Sequence, residues 1–78
     1  MKVYAVYIEG YSTNGGTASA KYLGQHTGRT FADAARRACV AHYGKKSTKA
    51  YFTIRGNIPT FWGCRLYDNP TDAARSFG

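Results

Sequence analysis

The chain of 78 residues carries 11 Lys and Arg against four Asp and Glu, a net charge of +7. This length accommodates one domain, residues 1–78. A chain of that size buries only about 60–65% of its unfolded surface, so its seven Tyr, four Phe and one Trp must supply much of the core. It has no run of roughly 18 apolar residues and no charged-then-apolar leader, so no membrane partner is expected and the expected location is cytoplasmic.

Lys2–Tyr11 alternates and is rich in Val, Ile and Tyr, which predicts a strand. Its buried face is undecided between Tyr4, Val6 and Ile8 and the set Val3, Ala5 and Tyr7. Ser12–Gly16, STNGG, holds residues that tolerate positive φ and predicts a hairpin turn. Thr17–Gly24 follows as the returning strand, and Gln25–Arg29 as a link.

Thr30–Gly44, TFADAARRACVAHYG, is the long helical stretch. Thr30 is a good N-cap, Asp33 suits the positive end of the helix dipole, and Gly44 is placed to end the helix. At 100° per residue, Phe31, Ala34, Ala35, Ala38, Ala41 and His42 share one face with Cys39 at its edge, opposite Asp33, Arg36, Arg37 and Val40. A small-residue face for close docking on a sheet thus backs a basic outer face.

Lys45–Lys49 reads as a basic loop, Ala50–Arg55 as a third strand, Gly56–Pro59 as a turn and Thr60–Tyr67 as a fourth strand. In that last strand Trp62, Cys64 and Leu66 share one face, and Phe61, Arg65 and Tyr67 the other. Asn69 before Pro70 is an N-cap followed by the favoured first-turn proline, so Pro70–Ser76 is a short helix. Asp33-Ala34-Ala35-Arg36 recurs as Asp72-Ala73-Ala74-Arg75, either a duplication or simply common helix-start composition. The expected fold is α+β in ββαβ(β)α order: a four-stranded antiparallel sheet, one main helix packed on one face, and a short C-terminal helix.

Cys39, His42, Cys64 and His26 have metal-ligand chemistry, but no C-x2-C pair anchors a zinc site. Packed thiols and a His at the helix C-terminus account for them better, and no metal or cofactor is expected. The four acids form no general acid/base pair, and no carboxylate orients a Cys–His nucleophile, so the chain is not expected to be an enzyme. Gly24–Thr30, GQHTGRT, departs from the phosphate-loop pattern in spacing and has Arg29 where that pattern has Lys.

Two constellations point to binding. One is the strand face bearing Tyr51, Thr53, Arg55, Phe61, Arg65 and Tyr67, a mix that serves stacking on single-stranded nucleic acid or a protein interface. It is open unless the short helix or a dimer mate covers it. The other is the basic patch of Arg36, Arg37, Lys45, Lys46 and Lys49, which favours a polyanion.

Trp62-Gly63-Cys64-Arg65-Leu66-Tyr67-Asp68-Asn69, closing with Ala74-Arg75-Ser76-Phe77-Gly78, resembles the tail of small uncharacterised phage and prophage proteins. In size and predicted build the chain is also similar to anti-CRISPR proteins, compact non-enzymatic binders that block surfaces of CRISPR effector complexes. Many of those are acidic, so a charge of +7 speaks against DNA mimicry. The expected function is a small basic binding protein of a phage or mobile element, acting on nucleic acid or a nucleoprotein complex. The alternative is an inhibitor docking on a host protein surface. The chain is expected to be a monomer or a homodimer.

Overall fold

In the computed structural model the backbone is described for all residues except Asn14, Gly15, Ser19 and Gly78, and side chains for those outside 11–19 and 74–78. The fold is built on helix α1, Phe31–Tyr43. Its start is set by Thr30, whose Oγ1 accepts the N–H of Asp33 at 3.3 Å, while the Asp33 carboxylate accepts the N–H of Arg29 at 3.4 Å. Its end is set by Gly44 at φ 92°, whose N–H reaches the Val40 carbonyl at 3.0 Å. Ala34, Ala35, Ala38 and Cys39 are buried; Cys39 belongs in the middle of the packed stripe, and Ala41 and His42 turn outward.

The sheet beneath is antiparallel with five strands rather than the four expected, in the order β4-β1-β7-β6-β5. These are β1 Lys2–Ile8, β4 Lys21–Gly28, β5 Phe52–Arg55, β6 Ile58–Phe61 and β7 Cys64–Tyr67. A separate two-stranded ribbon, β2 Tyr11–Thr13 with β3 Gly16–Ala18, takes the predicted hairpin. Asn14 and Gly15, at the tip of the STNGG turn, lie outside the described residues.

The returning strand is β4, which runs through Gln25 to Gly28 instead of stopping at Gly24. Between Gln25 opposite Ala5 and Tyr22 opposite Tyr7, β4 holds one extra residue. Gly24 absorbs this bulge at φ 93°, so a glycine that reads as a strand end is a bend within the strand. Val6, Ile8, Leu23, Phe61 and Leu66 then meet α1 in a single core, with Tyr4, Phe31, Tyr43, Phe52 and Cys64 packed around it. This resolves the β1 face in favour of Tyr4, Val6 and Ile8.

Two further departures lie in the second half of the chain. Lys45–Tyr51 is a helix, α2, rather than a loop running into a strand. Gly44 lets the chain stop one helix and start another. The Gly44 carbonyl accepts both the N–H and the Oγ1–H of Thr48, at 3.1 and 2.8 Å. The expected fourth strand is a hairpin: Phe61 pairs with Cys64 across Trp62 and Gly63, both at positive φ (54° and 83°). Two positive-φ residues give the turn the twist a hairpin requires, and Gly56 and Asn57 (φ 53° and 70°) do the same between β5 and β6. That inserted turn reverses the face assignment, placing Phe61 with Cys64 and Leu66 in the core and Trp62 outside.

Helix α3, Pro70–Phe77, is capped as expected, the Asp72 N–H donating to Asn69 Oδ1 at 2.8 Å. It packs on β7 and β1 and buries Ala73 apart from the α1-side core. The repeated Asp-Ala-Ala-Arg segments therefore share a helix-start role. Tyr22-Leu23-Gly24 and Phe61-Trp62-Gly63, which match at the same offset in the sequence, share none, since Leu23 is buried in a bulged strand and Trp62 is exposed in a turn.

Candidate nucleic-acid interface

The basic patch read from the sequence becomes a shaped feature. The outer face of α1 and one side of α2 enclose an open groove of about 600 Å³, lined by Arg36, Arg37, Val40, Lys45, Thr48 and Lys49, with Asp33 at its end. A second hollow of about 510 Å³ continues it past Thr30 and Arg36 to Phe52, Thr53 and Ile54 of β5. Lys45 and Lys49 are one helical turn apart, so α2 presents both to the same side. Thr48, only 2% exposed, is the buried hinge pin between the helices. Lys46 faces outward and does not line the groove.

Charge in the groove is poorly compensated. Among the described residues, the side chains of Arg36, Lys45 and Lys49 have no hydrogen bond or ion pair. Arg37 is held by neutral groups, its Nη1 donating to Thr27 Oγ1 at 3.1 Å and to Met1 Sδ at 3.8 Å. Asp33, the groove's one carboxylate, is engaged with the Arg29 N–H at the helix start.

The predicted aromatic sheet face is assembled only in part. By register Thr53, Arg55, Arg65 and Tyr67 do lie away from α1. Phe61 does not: it is 8% exposed and stacks on Tyr43 with centroids 4.4 Å apart. Tyr51 is not on the sheet at all, being the last residue of α2. Arg65 is partly neutralised, its Nε lying 3.6 Å from Glu9 Oε2 while its N–H donates to Glu9 Oε1 at 2.9 Å. In place of Phe61 and Tyr51 this face carries Tyr7 and Tyr22, and helix α3 packs on it at β7 and β1. Tyr7 pairs with Tyr22 on one side and Tyr67 on the other, and the Tyr7 and Tyr22 rings lie 4.9 Å apart.

Sequence reasoning missed Trp62. It is 75% exposed, sits at a hairpin tip with its backbone in a left-handed conformation unusual for a bulky residue, and meets Tyr51 edge-on with centroids 6.2 Å apart. The available signal was Gly63: a Trp-Gly pair inside a run of alternating apolar residues can be a turn.

The four potential metal ligands do not gather into one cluster. Cys39 is sealed in the core, where burial pushes its thiol up to about 12. Burial, with the Glu9 carboxylate second, raises the half-buried Cys64 thiol as well. Thiols so shifted are poor nucleophiles at neutral pH. His26 and His42 instead share an acceptor, their Nε2 atoms lying 3.0 and 2.9 Å from the Leu23 carbonyl oxygen. Among the described residues no three His, Cys, Asp or Glu side chains gather as a metal site, and no helix is long and apolar enough to cross a membrane. No family model, curated protein or solved structure matches this chain.

Proposed function

We propose that this chain is a non-enzymatic binding protein whose α1–α2 groove takes the phosphate backbone of a nucleic acid, free or held in a nucleoprotein complex. The observation that carries this is the convergence of Arg36, Arg37, Lys45 and Lys49 on one groove whose single carboxylate, Asp33, is already engaged. Four cations against one carboxylate along a groove attract a polyanion and release its condensed counterions on binding. Lys46 on the outer side of α2 extends the positive surface beyond the groove. The resemblance of the C-terminal stretch suits a phage or mobile-element product.

The test is a titration of labelled single-stranded and duplex oligonucleotides at about 50 mM salt, where phosphate contacts are strongest. The charge-reversed variant Arg36→Glu/Lys49→Glu should lose binding, whereas Arg65→Ala should keep it. Absence of binding by the wild-type chain to either form would remove the proposal.

A second function has its own observation in Trp62. An exposed Trp braced by Tyr51 at a hairpin tip has the make-up of a protein-binding hot spot, as an anti-CRISPR-type inhibitor docking on an effector surface would need. Under that alternative Trp62→Ala abolishes partner capture while the groove variants leave it intact.

A further inference from the structure

We propose that His26 and His42, together with the carbonyl oxygen of Leu23, form a binding site for a divalent late transition-metal ion of the Zn²⁺, Ni²⁺ or Cu²⁺ type. The inference is independent of the groove and of the nucleic-acid proposal. Both rings direct the same atom, Nε2, at one point, 3.0 and 2.9 Å from the same oxygen. A carbonyl oxygen can only accept, so without an ion both Nε2 atoms carry their proton. Ligands on one tetrahedral ion with bonds of ~2.0 Å lie about 3.3 Å apart, so each nitrogen is within about 0.4 Å of the spacing from the oxygen that a shared ion requires. On binding, each Nε2 gives up its proton to solvent while Nδ1 takes one up, so each imidazole stays neutral with its single proton on Nδ1 and the Nε2 lone pairs become the ligands.

The two rings sit on elements that are already fixed. His42 projects from the last turn of α1, and His26 from β4 two residues beyond the Gly24 bulge. His42 is exposed and His26 partly so, which lets an ion enter from solvent. Imidazole nitrogen selects late first-row ions over Mg²⁺ and Ca²⁺, which demand oxygen ligands. With three ligands from the chain, at least one coordination position is left for water or for a group from a partner. The site is therefore an exchangeable one that clips α1 to β4, unlike a closed structural zinc site.

The experiment is calorimetric titration of the intact chain with Zn²⁺ and Ni²⁺ in a non-chelating buffer, alongside thermal unfolding with and without ion. One ion per chain should bind, and Tm should rise with ion concentration, because the ion favours the folded state. His26→Gln and His42→Gln, whose circular dichroism checks that they fold, should each weaken binding by about tenfold or more. Loss of an outer-shell partner alone costs about 10–100-fold, and here a direct ligand is removed. Two results would overturn the proposal: no binding up to about 1 mM, the weak end of the affinity scale, or binding that survives unchanged in both variants.

Discussion

The two helices that form the groove are neighbours joined only by Gly44, yet they are held in different ways. Helix α1 has 13 residues, a side-chain cap at Thr30 and four buried residues on the sheet. Helix α2 has seven residues, no side-chain cap and one buried residue, Thr48. The first is a scaffold that also carries Arg36 and Arg37; the second is an arm that brings Lys45 and Lys49 opposite them. An isolated helix of α2's length does not persist in water, so its place depends on Thr48 and on packing against α1. The groove's charge density thus rests on the less stable partner.

The largest expected effects concern the scaffold. Gly28→Ala would put a Cβ 2.6 Å from the Ala34 backbone nitrogen and 2.8 Å from the Thr30 carbonyl oxygen, forcing the start of α1 away from β4. It should destabilise by about 1–3 kcal/mol in urea unfolding, as should Ala38→Leu within the buried stripe. Val40→Ala, on the groove side of the same helix, should change stability by less than about 0.5 kcal/mol. Equal tolerance at Ala38 and Val40 would break the distinction between a packed and an open face of α1.

A smaller effect is expected at the arm. Thr48→Ala removes the hydroxyl bond to the Gly44 carbonyl and should cost about 0.5–1.5 kcal/mol. Native-state hydrogen exchange sharpens the comparison further: amides of α2 should open at lower free energy than those of Ala35–Cys39, and Thr48→Ala should widen the gap. Identical protection in both helices would show that α2 is not an arm.

What was legible in the sequence follows the same division. Helix α1 was readable because a cap, a small-residue stripe and a terminating glycine coincide within Thr30–Gly44. Helix α3 was readable because Asn69 and Pro70 mark its start. Helix α2 was not, since seven residues with three lysines carry no apolar period and are held by Gly44 and Thr48 at one end and by Tyr51 against Phe61 and Trp62 at the other. The Trp62-Gly63 turn was hidden because alternation continues through it, and a two-residue hairpin reverses the face of everything after it. Of the basic residues Arg36, Arg37, Lys45, Lys46 and Lys49, all but Lys46 line one groove that the sequence did not reveal, and Phe61 was assigned to the wrong side.

One further expected effect is confined to alkaline pH. Cys39 is a neutral thiol in the fold with its pKa raised to about 12 from an ordinary value of 9.0. Its burial is fully compatible with the fold below the unfolded value. As pH rises from about 9 towards 12 only the unfolded chain ionises, so that contribution is lost. Urea midpoints should fall over this window, and Cys39→Ala should flatten the fall. A native chain whose Cys39 reacts rapidly with a thiol reagent at neutral pH would contradict the burial on which this rests.

The groove itself is tested most directly by the salt dependence of oligonucleotide binding. Four phosphate contacts, from Arg36, Arg37, Lys45 and Lys49, predict a log–log slope of about −3.6 on duplex and about −2.8 on a single strand. Lys45→Gln/Lys49→Gln should reduce the duplex slope by about 1.8, while Arg65→Gln, already paired with Glu9, should leave it nearly unchanged. A slope near zero, or one that Arg65→Gln flattens as much as the two lysine substitutions do, would contradict a phosphate-binding groove between α1 and α2.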